Sequence, residues 1–183
     1  MERGFPHSEF EVRTTKAQAL MARAGLAGML LMSEPDVRYF SGFHTLFWQS
    51  PTRPWFLVLP RNGAPIAAIP GIGADLMART WVTDIRTWSS PDPVDDGVSL
   101  LGGILSEYGK VGLPMGEEAS LRMPLRDFYA VQEKSGVEFV DCSDLIKSIR
   151  IVKSEAEIAM LRKICGIGSA AFDRAVELFS AGQ

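Results

Sequence analysis

Histidine and cysteine are almost missing from this 183-residue chain: His7, His44, Cys142 and Cys165 are the whole supply. Too few imidazoles and thiolates are present to build a self-contained zinc or iron site, so no metal site is expected within the chain. An excess of basic charge is missing as well. Nineteen Lys and Arg stand against 22 Asp and Glu, for a formal net charge of −3. That balance removes the electrostatic motive for gripping nucleic acid or an anionic membrane surface. Long apolar runs are absent too. The longest, residues 25–32, falls far short of the ~18–20 residues that cross a bilayer. The start, Met-Glu-Arg-Gly-Phe-Pro-His7, lacks the basic segment and apolar core of a secretory signal. With no sign of export, a cytoplasmic protein with free thiols is expected. No Walker-type phosphate loop and no Gly-x-Ser-x-Gly elbow occur.

What remains is a composition that folds. The chain is 46% hydrophobic and 22% charged, ordinary for a globular domain of this length. Apolar spacing predicts a helix over 8–24 and a buried strand over 28–32. One or two helical turns follow over 34–40. A hairpin is expected from 55–59 and 65–69, joined through Arg61-Asn62-Gly63-Ala64. A helix over 74–80, a strand over 83–88 and a loop at 89–93 come next. Helices over 94–108 and 120–133 then bracket a strand at 110–113, and a strand at 137–140 precedes a short helix at 144–150. Helices alternating with short strands, interrupted by one hairpin, imply an α/β layered domain with a mixed sheet.

The last segment has the clearest periodicity. Ser154-Glu155-Ala156-Glu157 has the form of a capping box. Behind it Ile158, Leu161, Ile164, Cys165, Gly168, Ala171, Phe172, Ala175, Val176 and Phe179 recur at intervals of three and four. A helix of about 27 residues, some 40 Å long, needs a partner for that stripe, either the chain's own sheet or a further domain. Within the stripe Cys165 is expected to be buried.

Few residues offer chemistry. Pro70-Gly71-Ile72-Gly73-Ala74-Asp75-Leu76 superficially resembles a dinucleotide-binding turn, but Leu76 occupies the third glycine position. A plain strand-to-helix turn accounts for it. The acidic pairs Asp95-Asp96 and Glu117-Glu118 are adjacent in sequence, so their side chains diverge, and a structural role is expected for both. The segment Phe43-His-Thr-Leu-Phe-Trp-Gln-Ser-Pro-Thr-Arg-Pro-Trp55 differs from the rest. It combines aromatic residues with Arg53 on what reads as a loop, a combination suited to contact with a ligand or partner. The same rings could equally fold over the edge of the domain.

Four stretches together resemble the N-terminal domain of the creatinase/prolidase/Xaa-Pro aminopeptidase superfamily. They are the opening Ser8-Glu-Phe-Glu-Val-Arg13 through Met21; Ala24-Gly-Leu-Ala-Gly-Met-Leu-Leu-Met-Ser-Glu-Pro-Asp-Val-Arg-Tyr-Phe-Ser-Gly-Phe43; Arg53-Pro54 ahead of a strand; and Asp141-Cys-Ser-Asp-Leu-Ile-Lys-Ser-Ile-Arg-Ile-Val-Lys-Ser-Glu-Ala-Glu-Ile-Ala-Met-Leu-Arg162. The resemblance implies a three-layer α/β domain with a ribonuclease-H-like motif. Its sheet would be mixed, mostly parallel and five- to six-stranded. It also implies a division at residue 150: a domain over 1–150, then a linker and the first helix of a catalytic domain over 151–183.

The resemblance further implies a longer, two-domain parent hydrolase: an Xaa-Pro aminopeptidase, prolidase or dipeptidase. Its pita-bread catalytic domain would hold two divalent metal ions (Mn, Co or Zn). The present domain would be non-catalytic. It would help form a homodimer and line the neighbouring subunit's pocket for a small peptide or other small molecule. Arg53 matches the Arg that contacts substrate in creatinase-like members. Pro51 replaces the Phe of that motif, which counts against creatine itself. His44, Trp48 and Trp55 are further candidates for the same wall. Two alternatives stay open: the same domain in a metal-free amidinohydrolase or other small-molecule hydrolase, and a stand-alone α/β binding module whose last helix mediates assembly.

Overall fold

The computed structural model describes residues 4–50, 53–117 and 119–179, without the side chains of Val176 and Glu177. In chain order its elements are α1 (His7–Arg23), β1 (Gly28–Leu31), α2 (Glu34–Ser41), β2 (Phe56–Pro60), β3 (Ile66–Pro70), α3 (Ala74–Met77), β4 (Asp84–Trp88), α4 (Val98–Leu105), β5 (Lys110–Leu113), α5 (Leu125–Ser135), β6 (Glu138–Asp141), α6 (Ser143–Ile151) and α7 (Glu155–Leu178). Short 3₁₀ turns cover Leu46–Gln49 and Gly71–Gly73. By chain contacts they divide into two compact units, the first ending at Ile149 and the second beginning at Arg150.

The first unit is built on one six-stranded sheet of order β4-β3-β2-β1-β5-β6. β2 pairs antiparallel with both β1 and β3, and the other three pairings are parallel. Five strands therefore run one way and β2 alone opposes them. β1, β2 and β3 are buried at every position, which explains their continuous apolar runs. Met29, Leu31, Leu57, Leu59 and Ile69 face one layer with Ala17 and Met21 of α1, Val37 and Phe40 of α2, Met77 of α3 and Ile146 of α6. Leu30, Phe56, Val58 and Ala68 face the other, against Leu101 and Leu105 of α4 and Val131 of α5. The result is a three-layer sandwich.

Local chemistry sets the element ends. Ser33 caps α2 by accepting from the Asp36 amide, and Gly42 ends that helix at φ 77°, a left-handed turn that glycine adopts without strain. At this turn a Cβ on Gly42 would also press on the Phe10 ring. The 94–108 and 120–133 helices expected from the sequence are shorter. The Asp92 carboxylate accepts the amides of Val94 (2.8 Å) and Asp95 (3.0 Å), holding those residues in a turn. Gly97, at φ 89°, then opens α4. Pro124 stands at the head of α5, where its missing N–H costs nothing, so residues 119–124 lie ahead of that helix. Asp95 accepts the Ser99 amide and Asp96 accepts the Trp88 indole N–H, a structural use of that acidic pair. Glu118 lies outside the described residues.

In the second unit α7 carries the capping box: Ser154 accepts the Glu157 amide and the Glu157 carboxylate accepts the Ser154 amide. Several of its apolar residues are exposed, among them Leu161, Ile164, Ile167 and Phe172. Cys165 is exposed with them and Cys142 is buried, both as free thiols. The expectation that Cys165 is buried is thus overturned, because the helical stripe carrying it lies open. Among the described residues no helix is long and apolar enough to cross a membrane.

Candidate functional site

With only β2 reversed, the C-terminal ends of five strands and the start of β2 share one edge of the sheet. In open α/β sheets ligands bind outside that edge. Here it gathers the entrance to α2, residues 43–50 and 53–55, the 71–73 turn, residues 114–117 and the start of α6.

Three aromatic rings of the segment belong to the core. Trp55 is fully buried, and Phe43 and Trp48 nearly so. Ring centres lie 5.3 Å apart for Phe43 and Trp55, 6.0 Å for Trp48 and Trp55, and 6.3 Å for Phe43 and Trp48. The Trp55 ring reaches Gly73, where a Cβ would overlap it. Trp48 and Trp55, expected as further candidates for a substrate wall, are both buried rings here. Burial of large aromatic area decided their place. Neither indole N–H has an acceptor among the described residues.

What the segment exposes is smaller. Phe47 is 40% exposed and stacks on Trp55 at 6.3 Å. The guanidinium of Arg53 lies over the Phe47 ring, 5.3 Å from its centre, a cation–π arrangement. Arg53 is partly exposed, and no carboxylate among the described residues pairs with it. Pro51 and Thr52 lie outside the described residues. His44 is exposed and points elsewhere: its Nδ1 stands 3.4 Å from the Glu34 carboxylate at the head of α2. The structure thus brings Arg53 onto Phe47 but gives His44 a partner of its own.

Neighbouring groups at the edge are already occupied. The Ser33 hydroxyl donates to the Asp36 carboxylate at 2.6 Å, and Asp36 is buried. The N-terminus of α2 therefore has its anion built in. At the start of α6, one Asp141 oxygen accepts the Ser143 hydroxyl (2.6 Å), the Ser143 amide (2.9 Å) and the Met115 amide (2.9 Å). These bonds, the Ser143 hydroxyl first, hold the Asp141 carboxyl below the usual range. Burial pushes the Cys142 thiol up to about 12, which leaves it protonated and without nucleophilic use. Among the described residues no group of three or more His, Cys, Asp and Glu is placed to hold a metal ion.

Sequence reasoning passed over Arg122, which the 120–133 helix assignment hid. Its Nη2 donates to the carbonyls of Trp48 (2.9 Å) and Ser50 (3.0 Å). Its guanidinium also lies over the Trp48 ring, 5.4 Å from the centre. Pro124 was the available signal, since it marks 120–123 as lying ahead of the helix.

Comparison with known proteins gives this edge a family. Residues 13–152 match the Creatinase/Prolidase N-terminal domain. A probable dipeptidase PepE of Mycobacterium bovis is 29% identical over 174 residues, covering 94% of this chain and 43% of that protein. An uncharacterized hydrolase/peptidase, y4tL, of Sinorhizobium fredii is 25% identical over 198 residues, covering 97% of this chain and 47% of that protein. The chain therefore spans less than half the length of these curated relatives. Among solved structures, the prolidase of Thermococcus sibiricus superposes with a TM-score of 0.75 at 21% identity, over 95% of this chain and 45% of that one. The Creatinase/Prolidase N-terminal domain of an Xaa-Pro dipeptidase from Streptococcus pyogenes superposes with a TM-score of 0.61 at 11% identity, over 75% of this chain and 98% of that one. The match over residues 13–152, more than half of the chain, shows that this chain belongs to the creatinase/prolidase N-terminal domain family.

Proposed function

We propose that this chain is the non-catalytic N-terminal part of a longer Xaa-Pro peptidase or dipeptidase, and that it presents Arg53 to the substrate pocket of a neighbouring subunit in a homodimer. The observation that carries the reading is the state of Arg53. It is a partly exposed guanidinium, laid on Phe47 and unpaired among the described residues, at the sheet edge where α/β folds bind ligands. A guanidinium so held can take a carboxylate with two hydrogen bonds. A peptide ending in proline offers such a carboxylate.

The peptidase reading is favoured over the amidinohydrolase one by the names of the curated relatives, a probable dipeptidase and a hydrolase/peptidase. The short span relative to them supports a catalytic domain outside residues 1–183. We read 1–150 as the family domain and 151–183 as a linker and the opening helix of that further domain, whose packing would cover the α7 stripe. The metal ions of peptidase members would be held by the further domain, where they would activate a water for attack on the carbonyl. Two unpaired thiols fit a cytoplasmic setting.

The test compares residues 1–183 with the full-length protein on Xaa-Pro dipeptides, with and without added Mn²⁺, Co²⁺ or Zn²⁺. Turnover is expected from the full-length protein with metal and none from residues 1–183. Peptide hydrolysis by residues 1–183 alone would overturn the non-catalytic assignment. A metal-indifferent full-length enzyme acting on amidines instead would favour the second hydrolase class.

A further inference from the structure

We propose that Arg122 is the positioning residue of the Arg53 loop. It would fix residues 46–50 against the sheet edge so that Phe47, and Arg53 on top of it, face the substrate. The inference rests on the substrate reading of Arg53 and adds the group that holds it.

Three kinds of contact converge on Arg122. One nitrogen of its guanidinium donates to two carbonyls of the loop, Trp48 at 2.9 Å and Ser50 at 3.0 Å. The guanidinium plane lies over the Trp48 ring. Its backbone N–H points at the Met32 sulfur just beyond β1, at 3.3 Å. The loop is thus tied through Arg122 to the end of the central strand. The contacts are long-range, 74 residues for the first and 90 for the last, so they fix a placement that local sequence does not.

The tie adds to what the loop holds by itself. Its own structure is one 3₁₀ turn, capped by Thr45 accepting the Phe47 amide at 3.2 Å and closed by the Ser50 amide to the Phe47 carbonyl at 3.0 Å. It also buries the Trp48 and Trp55 N–H groups without an acceptor among the described residues, a cost that opposes closure. The aromatic chain Trp48–Trp55–Phe47, tilted at its first contact and stacked at its second, then carries the placement outward, through ring separations of 6.0 and 6.3 Å, to the ring on which Arg53 rests. Two guanidiniums therefore bracket one chain of rings: Arg122 lies over Trp48 and Arg53 over Phe47.

Arg122→Met removes both hydrogen bonds and the charge at similar length. Arg122→Lys keeps the charge and can still donate to the carbonyls. Amide hydrogen exchange on the 183-residue chain reads the loop directly. In Arg122→Met the Phe47, Trp48 and Ser50 amides are expected to exchange about tenfold faster or more, while amides in β1 and β2 keep their protection, as expected for a local opening. Arg122→Lys is expected to lie between that variant and wild type, and it decides the matter if Arg122→Met does not fold. Unchanged exchange in the loop overturns the proposal.

In the full-length protein, Arg122→Met is expected to raise KM about tenfold with kcat largely kept, and to add nothing once Arg53→Ala is present, as for two residues acting through one contact. Loop exchange that rises without any change in KM, while Arg53→Ala alone does raise KM, overturns the positioning role. An Arg53→Ala enzyme with unchanged KM marks the failure as that of the substrate reading, and the inference falls with it.

Discussion

At the scale of single residues, the aromatic segment 43–55 divides into rings that hold the fold and a charge that remains available. Trp55 is fully buried against Phe43, Trp48 and Gly73, whereas Arg53, two positions earlier, rests on an exposed ring. Substitutions should separate the two roles. Trp55→Ala is expected to cost about 3–5 kcal/mol of folding stability, as for other large buried aromatics, read as a drop in the denaturation midpoint. Arg53→Ala is expected to leave the midpoint in place. In the full-length protein it should instead lower kcat/KM by about 2–5 kcal/mol in transition-state terms, the range for removing one side of a desolvated charge pair. Equal midpoint losses for the two variants would place Arg53 in the core framework. The aromatic-plus-Arg composition of the segment was legible in the sequence. Which rings turn inward was not, because inward and outward depend on Gly73 and on Arg122, both distant in the chain.

At the scale of elements, caps and turns were the best-read features. Ser154 and Glu157 form the expected capping box, and the Asn62-Gly63 turn joins β2 to β3. Helix starts were read less well where side chains compete for backbone amides, as Asp92 does ahead of α4. The junction of β6, α6 and the 114–116 turn shows the same competition used productively. Asp141 collects the Ser143 hydroxyl and two amides there, and the Ser143 hydroxyl oxygen in turn accepts the Gly116 amide at 2.8 Å.

Because these bonds favour the charged carboxylate, the folded pKa of Asp141 lies below its unfolded value. The unfolded chain therefore binds the proton first as pH falls. The stabilisation is complete above the ordinary aspartate value of about 3.9 and is lost as pH drops through it to the depressed folded value. Asp141→Asn should lower stability at neutral pH and flatten the acid limb of the stability curve. Acid limbs of equal slope in the two proteins would remove Asp141 as a contributor.

At the scale of the whole molecule, the first unit buries its apolar surface on both faces of one sheet, while the second leaves the α7 stripe exposed. Exposed apolar surface of that kind drives association. Residues 1–183 are expected to show concentration-dependent mass in sedimentation equilibrium, reversed by Ile164→Glu with Phe172→Glu. A constant monomer mass, or association untouched by those changes, would show that the stripe is not the contact. The sequence by itself determined the layered α/β class, all six strands to within a residue, the capping box and the poverty of metal ligands. These follow from short-range periodicity, cap chemistry and composition, all carried by neighbouring residues. Only the tertiary structure decided that β2 alone runs against its five companions, that Trp48 and Trp55 are core, that Cys165 is exposed and that Arg122 reaches the Arg53 loop. Each of these depends on contacts between segments tens of residues apart, where the burial available to a side chain is set by what the rest of the chain places opposite it.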